Sequence, residues 1–290
     1  MSTSTSARED HRRVDRLLAV CRFLVHSNLF ISLAAASVVV TTTVLADLPF
    51  DPLPFFIVFA VTMFVYTVNR FTDLEEDREN VPRRAAFVER YGLVWLGLGV
   101  GLYLGAIVVA LLLELPGAGY LLLPLVVALL YSLGGVKHVF LVKNLFVGFA
   151  WAVIPLGVGV YYEQPWALEV LFLAGYVGTM ITIAAAVFDV KDIEGDREQG
   201  IDTIPTAFGP RRTRIVAQFA NGLVAAAVVA LVATGVLDAR FLVLLAFHGY
   251  VGCYIPFASR DRGPLFYGGI IDGEHVFLAA LVLVLEWLVW

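Results

Sequence analysis

Long apolar segments separated by short polar ones run through the chain from residue 23 to residue 290. Most are close to the roughly 20 apolar residues that a helix needs to cross the hydrocarbon core of a bilayer. Nine follow one another: 23–46, 53–72, 92–114, 118–135, 144–162, 166–188, 213–236, 239–257 and 270–290. They predict an all-α integral membrane protein whose nine transmembrane helices form one domain, residues 23–290. The polar segment 1–22 is expected to be a mobile tail without a fold of its own.

The composition supports a membrane protein. Of 290 residues, 60% are hydrophobic and 16% are charged, and the mean hydropathy is +0.84. These values exclude an ordinary soluble domain. The two cysteines, Cys21 and Cys253, are far apart in sequence, so neither a disulfide nor a cysteine metal cluster is expected.

Basic residues are confined to one set of connections. Nineteen of the 20 lysines and arginines lie in the N-terminal segment or after the second, fourth, sixth and eighth apolar segments, and Arg240 is the exception. Loops rich in lysine and arginine stay in the cytoplasm. The N-terminus is therefore predicted to be cytoplasmic and the C-terminus to lie outside the cell membrane.

An acidic sequence occurs twice. DLEEDRE at 73–79 is nearly repeated as DIEGDRE at 192–198. On the predicted topology the copies lie at the cytoplasmic ends of the second and sixth helices. A charge near a membrane is costly unless it has a partner or a function. Solvated loop residues would explain one such sequence, but two copies on one side favour a shared site.

Helical spacing selects some members of each copy. Residues four apart share a helical face, and like charges so placed repel unless a cation binds between them. Mg²⁺ prefers oxygen ligands and is commonly held by carboxylates together with substrate phosphates. Glu75 and Glu194 point elsewhere and are expected to be solvated. The candidate magnesium ligands are Asn69, Asp73, Asp77, Asp189, Asp192 and Asp196.

Basic side chains on the same predicted side favour a diphosphate with a long apolar tail as the ligand. Such a ligand would place its head at the cytoplasmic surface and its tail between helices. The basic candidates are Arg22, Arg78, Lys137, Lys143 and Arg197.

Other polar groups have simpler interpretations. The Pro-Arg-Arg sequences at 82–84 and 210–212 are typical of anchors at anionic headgroups. Asp272 and Glu274 suit the N-terminal end of the last helix, where the helix dipole favours negative charge. The segments 81–91 and 200–209 are each long enough for a short helix or turn that caps the cavity.

Three motifs carry a resemblance to a known family. NRFTDLEED at 69–77 matches NxxxDxxxD, and DVKDIEGDREQGIDTIP at 189–205 matches a DxxDxxxD element followed by Gly and Thr-hydrophobic-Pro. A third and weaker one is YSLGGVKHVFLVKN at 131–144. With these motifs the chain resembles the UbiA superfamily of intramembrane prenyltransferases.

The resemblance implies nine helices around a central, lipid-facing cavity. There, Mg²⁺ on the acidic motifs would hold a prenyl diphosphate, whose prenyl group passes to a hydrophobic acceptor: an aromatic compound, a quinone precursor or a lipid. Asp73, Asp77, Asp192, Asp196 and Lys137 would be the catalytic residues. No nucleic acid and no obligate protein partner are implied. The substrate-binding candidates are Asn69, Asp189, Lys143, Arg22, Asn28, Tyr131, Arg78, Arg197 and Asn144, and Tyr66 is a further aromatic liner.

Two other functions compete with prenyl transfer. A cation-coupled transporter would use the acidic residues as ion sites, although transporters usually place them near the bilayer midplane. A phosphotransferase that uses a CDP-alcohol would need a DxxDG start and a downstream Ala-Arg pair, and neither acidic copy has them. The acceptor and the prenyl chain length cannot be predicted from the sequence.

Overall fold

The computed structural model describes residues 3–126, 141–198 and 200–290, and these ranges are helical without a β-strand. Short 3₁₀ helices, Ala239–Val243 and Ile255–Phe257, flank α11, and a π-helical turn, Phe266–Ile271, precedes α12. In chain order the α-helices are α1 (Thr3–His26), α2 (Leu29–Leu45), α3 (Pro52–Thr72), α4 (Leu74–Asn80), α5 (Pro82–Leu112), α6 (Val142–Tyr161), α7 (Leu168–Phe188), α8 (Ile193–Glu198), α9 (Ile204–Phe208), α10 (Pro210–Ala233), α11 (Leu244–Tyr254) and α12 (Glu274–Leu288).

Seven helical segments are long and apolar enough to cross a membrane, and α1 with α2 forms an eighth candidate. They account for eight predicted segments, whereas half of the remaining one, 127–135 of segment 118–135, lies outside the described residues. The prediction of an all-helical, multi-pass membrane protein is confirmed. The count of nine, the central cavity and the orientation of the N-terminus stay predictions. The seven are Pro52–Thr72, Pro82–Leu112, Val142–Tyr161, Leu168–Phe188, Pro210–Ala233, Ala239–Phe257 and Phe266–Leu288.

The N-terminal region differs from the expectation. Residues 3–22 belong to α1 rather than to an unstructured tail, and the first apolar segment is broken instead of forming one straight helix. Asn28 adopts a left-handed conformation (φ 63°), and the α1–α2 pair bends by 70° at this point. Its carbonyl oxygen accepts a hydrogen bond from Ser32 Oγ at 2.8 Å. The break places residues 26–28 at the end of the bundle where the acidic motifs lie.

Helix α5 begins earlier than predicted. It starts at Pro82, whose fixed φ suits the first helical turn, and so contains most of the segment 81–91 that was expected to cap the cavity. The other expected capping segment, 200–209, does hold a short helix, α9. Thr203 caps α9 with its side chain and Pro205 lies in its first turn, which accounts for the Thr-Ile-Pro sequence.

Small residues allow close helix packing around α2 and between α6 and α7. Ala34, Ala35 and Ala36 are at most 1% exposed, and α2 contacts α3, α6 and α12. A Cβ atom on Gly148 of α6 would lie 2.5 Å from the carbonyl oxygen of Gly178 on α7. Close backbone approach through small residues is typical of helix contacts inside membranes.

Candidate active site

The first acidic motif bends at the end of α3. Asp73 is the residue between α3 and α4, and its carbonyl oxygen accepts the backbone N–H of Asp77 at 2.8 Å, so the helical spacing continues through the junction. Asp77 is 3% exposed. Arg84, in the first turns of α5, binds its carboxylate through Nε at 2.7 Å and through Nη2. Asn69 and Asp73 are partly buried on the same side of this turn.

The second acidic motif is built around one lysine. Lys143 Nζ of α6 lies 3.0 Å from Asp189 Oδ1 and 3.8 Å from Asp196 Oδ1. Asn144 Nδ2 donates to Asp189 Oδ2 at 2.8 Å, and Thr203 Oγ1 donates to Asp196 Oδ2 at 3.3 Å. Both carboxylates are at most 4% exposed. The structure therefore brings Lys143, Asn144, Asp189 and Asp196 together.

Lys191 pairs with the third carboxylate of the second motif. Its Nζ lies 2.5 Å from Asp192 Oδ2 and 4.8 Å from the centre of the Phe188 ring. Burial lowers the pKa of Lys191 below its ordinary value, and the negative charge of Asp192 opposes this shift. An added anion would stabilise the charged ammonium.

A cleft of about 120 Å³ opens beside Asp192. Asn28 and Tyr66, both predicted to contact substrate, line it. So do five basic side chains and one further carboxylate that were not predicted as site residues. An excess of positive charge in a partly enclosed cleft favours an anionic ligand. These six are Arg70, Arg84, Lys191, Arg260, Arg262 and Asp272.

One sequence interpretation is corrected by these contacts. Arg84 of the Pro-Arg-Arg sequence at 82–84 binds Asp77 and lines the cleft instead of serving as a headgroup anchor. In the sequence, the feature that could have indicated this ion pair is the spacing of the two residues, since Arg84 follows Asp77 by seven positions. Glu274 begins α12, as expected, but it is 1% exposed and accepts a hydrogen bond from the Tyr254 hydroxyl at 2.7 Å.

Other predicted residues lie apart from the cleft lining. Arg78 is exposed and pairs with Glu75 and Glu89, and Arg197 is exposed with its Nη2 3.5 Å from the Thr206 carbonyl oxygen. Arg22 is exposed on α1. Lys137 and Tyr131 lie outside the described residues. These five therefore stay predictions.

The residues fit magnesium in the type of atom they offer. Five aspartates and one asparagine supply the oxygen ligands that Mg²⁺ prefers. Across residues 3–126, 141–198 and 200–290, however, no three acidic, histidine or cysteine side chains converge as a preformed metal centre requires. Arg84, Lys143 and Lys191 hold the carboxylates instead. Metal binding would therefore replace these ion pairs.

Comparison with known proteins assigns this arrangement to a family. The model of the UbiA prenyltransferase family matches residues 22–262, which include both acidic motifs. The chain belongs to this family. A solved structure described as the apo form of a UbiA homologue from Aeropyrum pernix K1 has the same fold, with a TM-score of 0.66 and 20% identity, over 87% of this chain and 97% of that one.

Two curated relatives are enzymes by name. The chain is 26% identical over 171 residues to a 2-acyl-4-prenylphloroglucinol 6-prenyltransferase of Humulus lupulus, which is 53% of this chain and 41% of the relative. It is 31% identical over 159 residues to a somaliensene A/B synthase of Streptomyces somaliensis, which is 53% of this chain and 52% of the relative. The chain thus spans about half the length of these relatives or less.

Proposed function

We propose that this UbiA-family protein transfers a prenyl group from a prenyl diphosphate to a hydrophobic acceptor within the membrane. The observation that carries the proposal is the pairing of two buried acidic motifs with a cleft lined by five basic side chains. A water-soluble anionic ligand would require only the basic cleft. A ligand whose anionic head carries an apolar tail explains why the cleft lies in a bundle of membrane-length helices.

The basic residues stabilise the departing diphosphate. Arg84 and Lys191 already line the cleft, and Lys143 holds two carboxylates of the second motif. When a diphosphate enters, these cations exchange a carboxylate for a phosphate oxygen. As the carbon–oxygen bond ionises, negative charge develops on the leaving diphosphate, and these side chains stabilise it. Electrostatic catalysis is strongest when such groups are already in place around the developing charge.

Magnesium completes the proposed site. We assign it to Asn69, Asp73, Asp77, Asp189, Asp192 and Asp196, whose oxygens match its preference. Bound Mg²⁺ supplies a Lewis acid that neutralises charge on the leaving diphosphate. The protein would also exclude water from the site, because an allylic cation exposed to water would be hydrolysed.

The family and the named relatives support prenyl transfer. The Humulus relative is named as a prenyltransferase whose acceptor contains a phloroglucinol ring, so a ring-hydroxylated acceptor is one candidate class for this chain. We place the reaction at the cytoplasmic surface of the cell membrane, because nearly all lysines and arginines lie on the predicted inner side.

The test is enzymatic. The purified protein is incubated in lipid nanodiscs with Mg²⁺, labelled geranyl, farnesyl or geranylgeranyl diphosphate, and hydroxybenzoate, dihydroxynaphthoate or glycerol phosphate. Products are resolved by mass. Asp77→Asn and Asp196→Asn should abolish transfer, and so should removal of Mg²⁺ by a chelator, because the buried carboxylates are the proposed ligands.

A matched control lies in the first of the two sequences. The side chain of Glu75 is 86% exposed and pairs with Arg78, which does not line the cleft. Glu75→Gln should therefore retain transfer. Full activity in both aspartate variants, or no prenylated product with any acceptor in the unmodified protein, would contradict the proposed function.

A further inference from the structure

Helix α1 carries a row of apolar side chains that the rest of the described chain leaves exposed. Val14, Leu17 and Val20 follow one another at intervals of three residues, so they lie on one side of the helix. Their exposed fractions are 55%, 64% and 55%. Single exposed apolar residues are common on protein surfaces, whereas a contiguous apolar surface indicates a partner.

The direction of α1 shows where this partner lies. Helix α2 alone has 17 residues. It rises about 25 Å, which covers most of the roughly 30 Å hydrocarbon core without any contribution from α1. Helix α1 is bent from α2 by 70°. Because membrane-spanning helices tilt by only about 20° on average from the bilayer normal, α1 runs close to the bilayer plane.

Contacts with α5 give the depth of α1. The ring of Phe23 lies 5.9 Å from the rings of both Phe87 and Trp95. The long apolar segment of α5 begins between these two partners, so the end of α1 lies at the level of the bilayer surface. Leu93 and Val94 on the same turns of α5 are 79% and 72% exposed, as side chains that face lipid are. The apolar row of α1 therefore continues a lipid-facing surface.

The charge of α1 indicates which lipid it meets. Arg13 and Arg16 are exposed next to the apolar row, and the sequence places Arg8 and Arg12 before them. An arginine can lay its methylene groups along an apolar surface while its charged end stays in water. The last residue of α1, His26, lines the charged cleft, so α1 lies on the predicted cytoplasmic side. Anionic lipids concentrate in that leaflet and attract basic segments.

We propose that residues 13–23 of α1 form an interfacial helix that binds anionic lipid of the cytoplasmic leaflet. Val14, Leu17 and Val20 enter the boundary between headgroups and acyl chains, and Arg13 and Arg16 bind lipid phosphates. This inference is independent of the proposed prenyltransferase function. Docking holds the end of α1, and with it one wall of the charged cleft, at the level of the lipid headgroups.

Spin labels test which side of α1 faces lipid. In full-length protein that carries Cys21→Ala and Cys253→Ala, one cysteine replaces either Leu17 of the apolar row or Ala19, which is exposed on the opposite side. The labelled protein is placed in nanodiscs that contain phosphatidylglycerol. The label at 17 should be reached by oxygen but not by a water-soluble nickel chelate, at a depth of about 5–10 Å. The label at 19 should be reached by the chelate.

A fluorophore at position 17 tests the choice of lipid. Its quenching by nitroxide-labelled phosphatidylglycerol is compared with quenching by phosphatidylcholine that carries the same acyl chains and nitroxide. The anionic lipid should be enriched about fivefold around the label. Arg13→Gln combined with Arg16→Gln should bring this ratio close to one, and so should high salt, which screens exposed charges. Arg211→Gln, exposed at the start of α10, is the matched control and should leave the ratio unchanged.

Four outcomes would overturn the proposal. Equal access of the nickel chelate to positions 17 and 19 would show that α1 stands away from the bilayer. A label at 17 that lies at the bilayer centre would make α1 part of a spanning helix. Spin–spin broadening between labelled copies would assign the apolar row to a second copy of the chain. Equal quenching by the two lipids in protein with both arginines would exclude an anionic partner. None of these outcomes bears on prenyl transfer, which Asp77→Asn tests separately.

Discussion

At the scale of single residues, the acidic site is held together by ion pairs. Lys143 lies within 4 Å of both Asp189 and Asp196, and these two carboxylates are almost fully buried. A buried carboxylate that loses its cation keeps its desolvation cost without compensation. The lysine therefore stabilises the ligand-free protein as well as preparing the diphosphate site.

Replacing Lys143 with methionine should lower the free energy of unfolding by about 3 kcal/mol, because two buried charges lose their partner. Adding Asp189→Asn to this variant should recover part of the loss, since one of the charges is removed. Arg78→Met is the control, because Arg78 is exposed and pairs only with exposed glutamates in the described contacts. Unfolding in detergent micelles measures all three, and equal effects of Lys143→Met and Arg78→Met would contradict the expectation.

Helical spacing predicted which acids are buried but not which bases hold them. Asp77 and Asp196 are buried while Glu75 and Glu194 are exposed, as expected from residues on different helical faces. Arg84 was missed because its pairing depends on how α5 turns back beside α4.

At the scale of helices, α6 and α7 approach each other through glycines. The Cβ that alanine would add at Gly148 lies 2.5 Å from the carbonyl oxygen of Gly178 and still closer to Thr182 Oγ1. Because backbone must move, Gly148→Ala should cost about 1–3 kcal/mol in stability. Gly157→Ala on the same helix meets no atom within 4 Å and should be tolerated. Thermal unfolding compares the two, and a tolerated Gly148→Ala would show that the helices separate easily.

This contact also matters for the site. Lys143 and Asn144 begin α6, and Asp189 follows α7, so the spacing of the two helices sets the distances in the ion-pair cluster. Apolar length in the sequence predicted both helices. It could not predict the break at Asn28 or the early start of α5, because those depend on a left-handed residue and on charged turns outside the apolar pattern.

At the scale of the whole molecule, the polar groups of the site gather at one end of the helical bundle. Both acidic motifs follow membrane-length helices, α3 and α7. The basic cleft is lined by residues from the ends of the same two helices, among them Arg70 and Phe188. The short connection 162–167 lies at the other ends of α6 and α7. A diphosphate must therefore arrive from the side that holds the acidic motifs, and the distribution of lysine and arginine predicts that this side is the cytoplasm.

Cysteine labelling tests this orientation. Cys21 and Cys253 are first replaced by serine, and one cysteine is then placed either at exposed Glu75 beside the first acidic motif or at exposed Gln164 in the opposite connection. In intact cells a membrane-impermeant maleimide should label Gln164→Cys, whereas Glu75→Cys should react only after the membrane is opened, because lysine- and arginine-rich connections stay inside. The reverse pattern would place the cleft outside the cell, away from any cytoplasmic supply of prenyl diphosphate. Retained prenyl transfer in both cysteine variants serves as the control for correct folding.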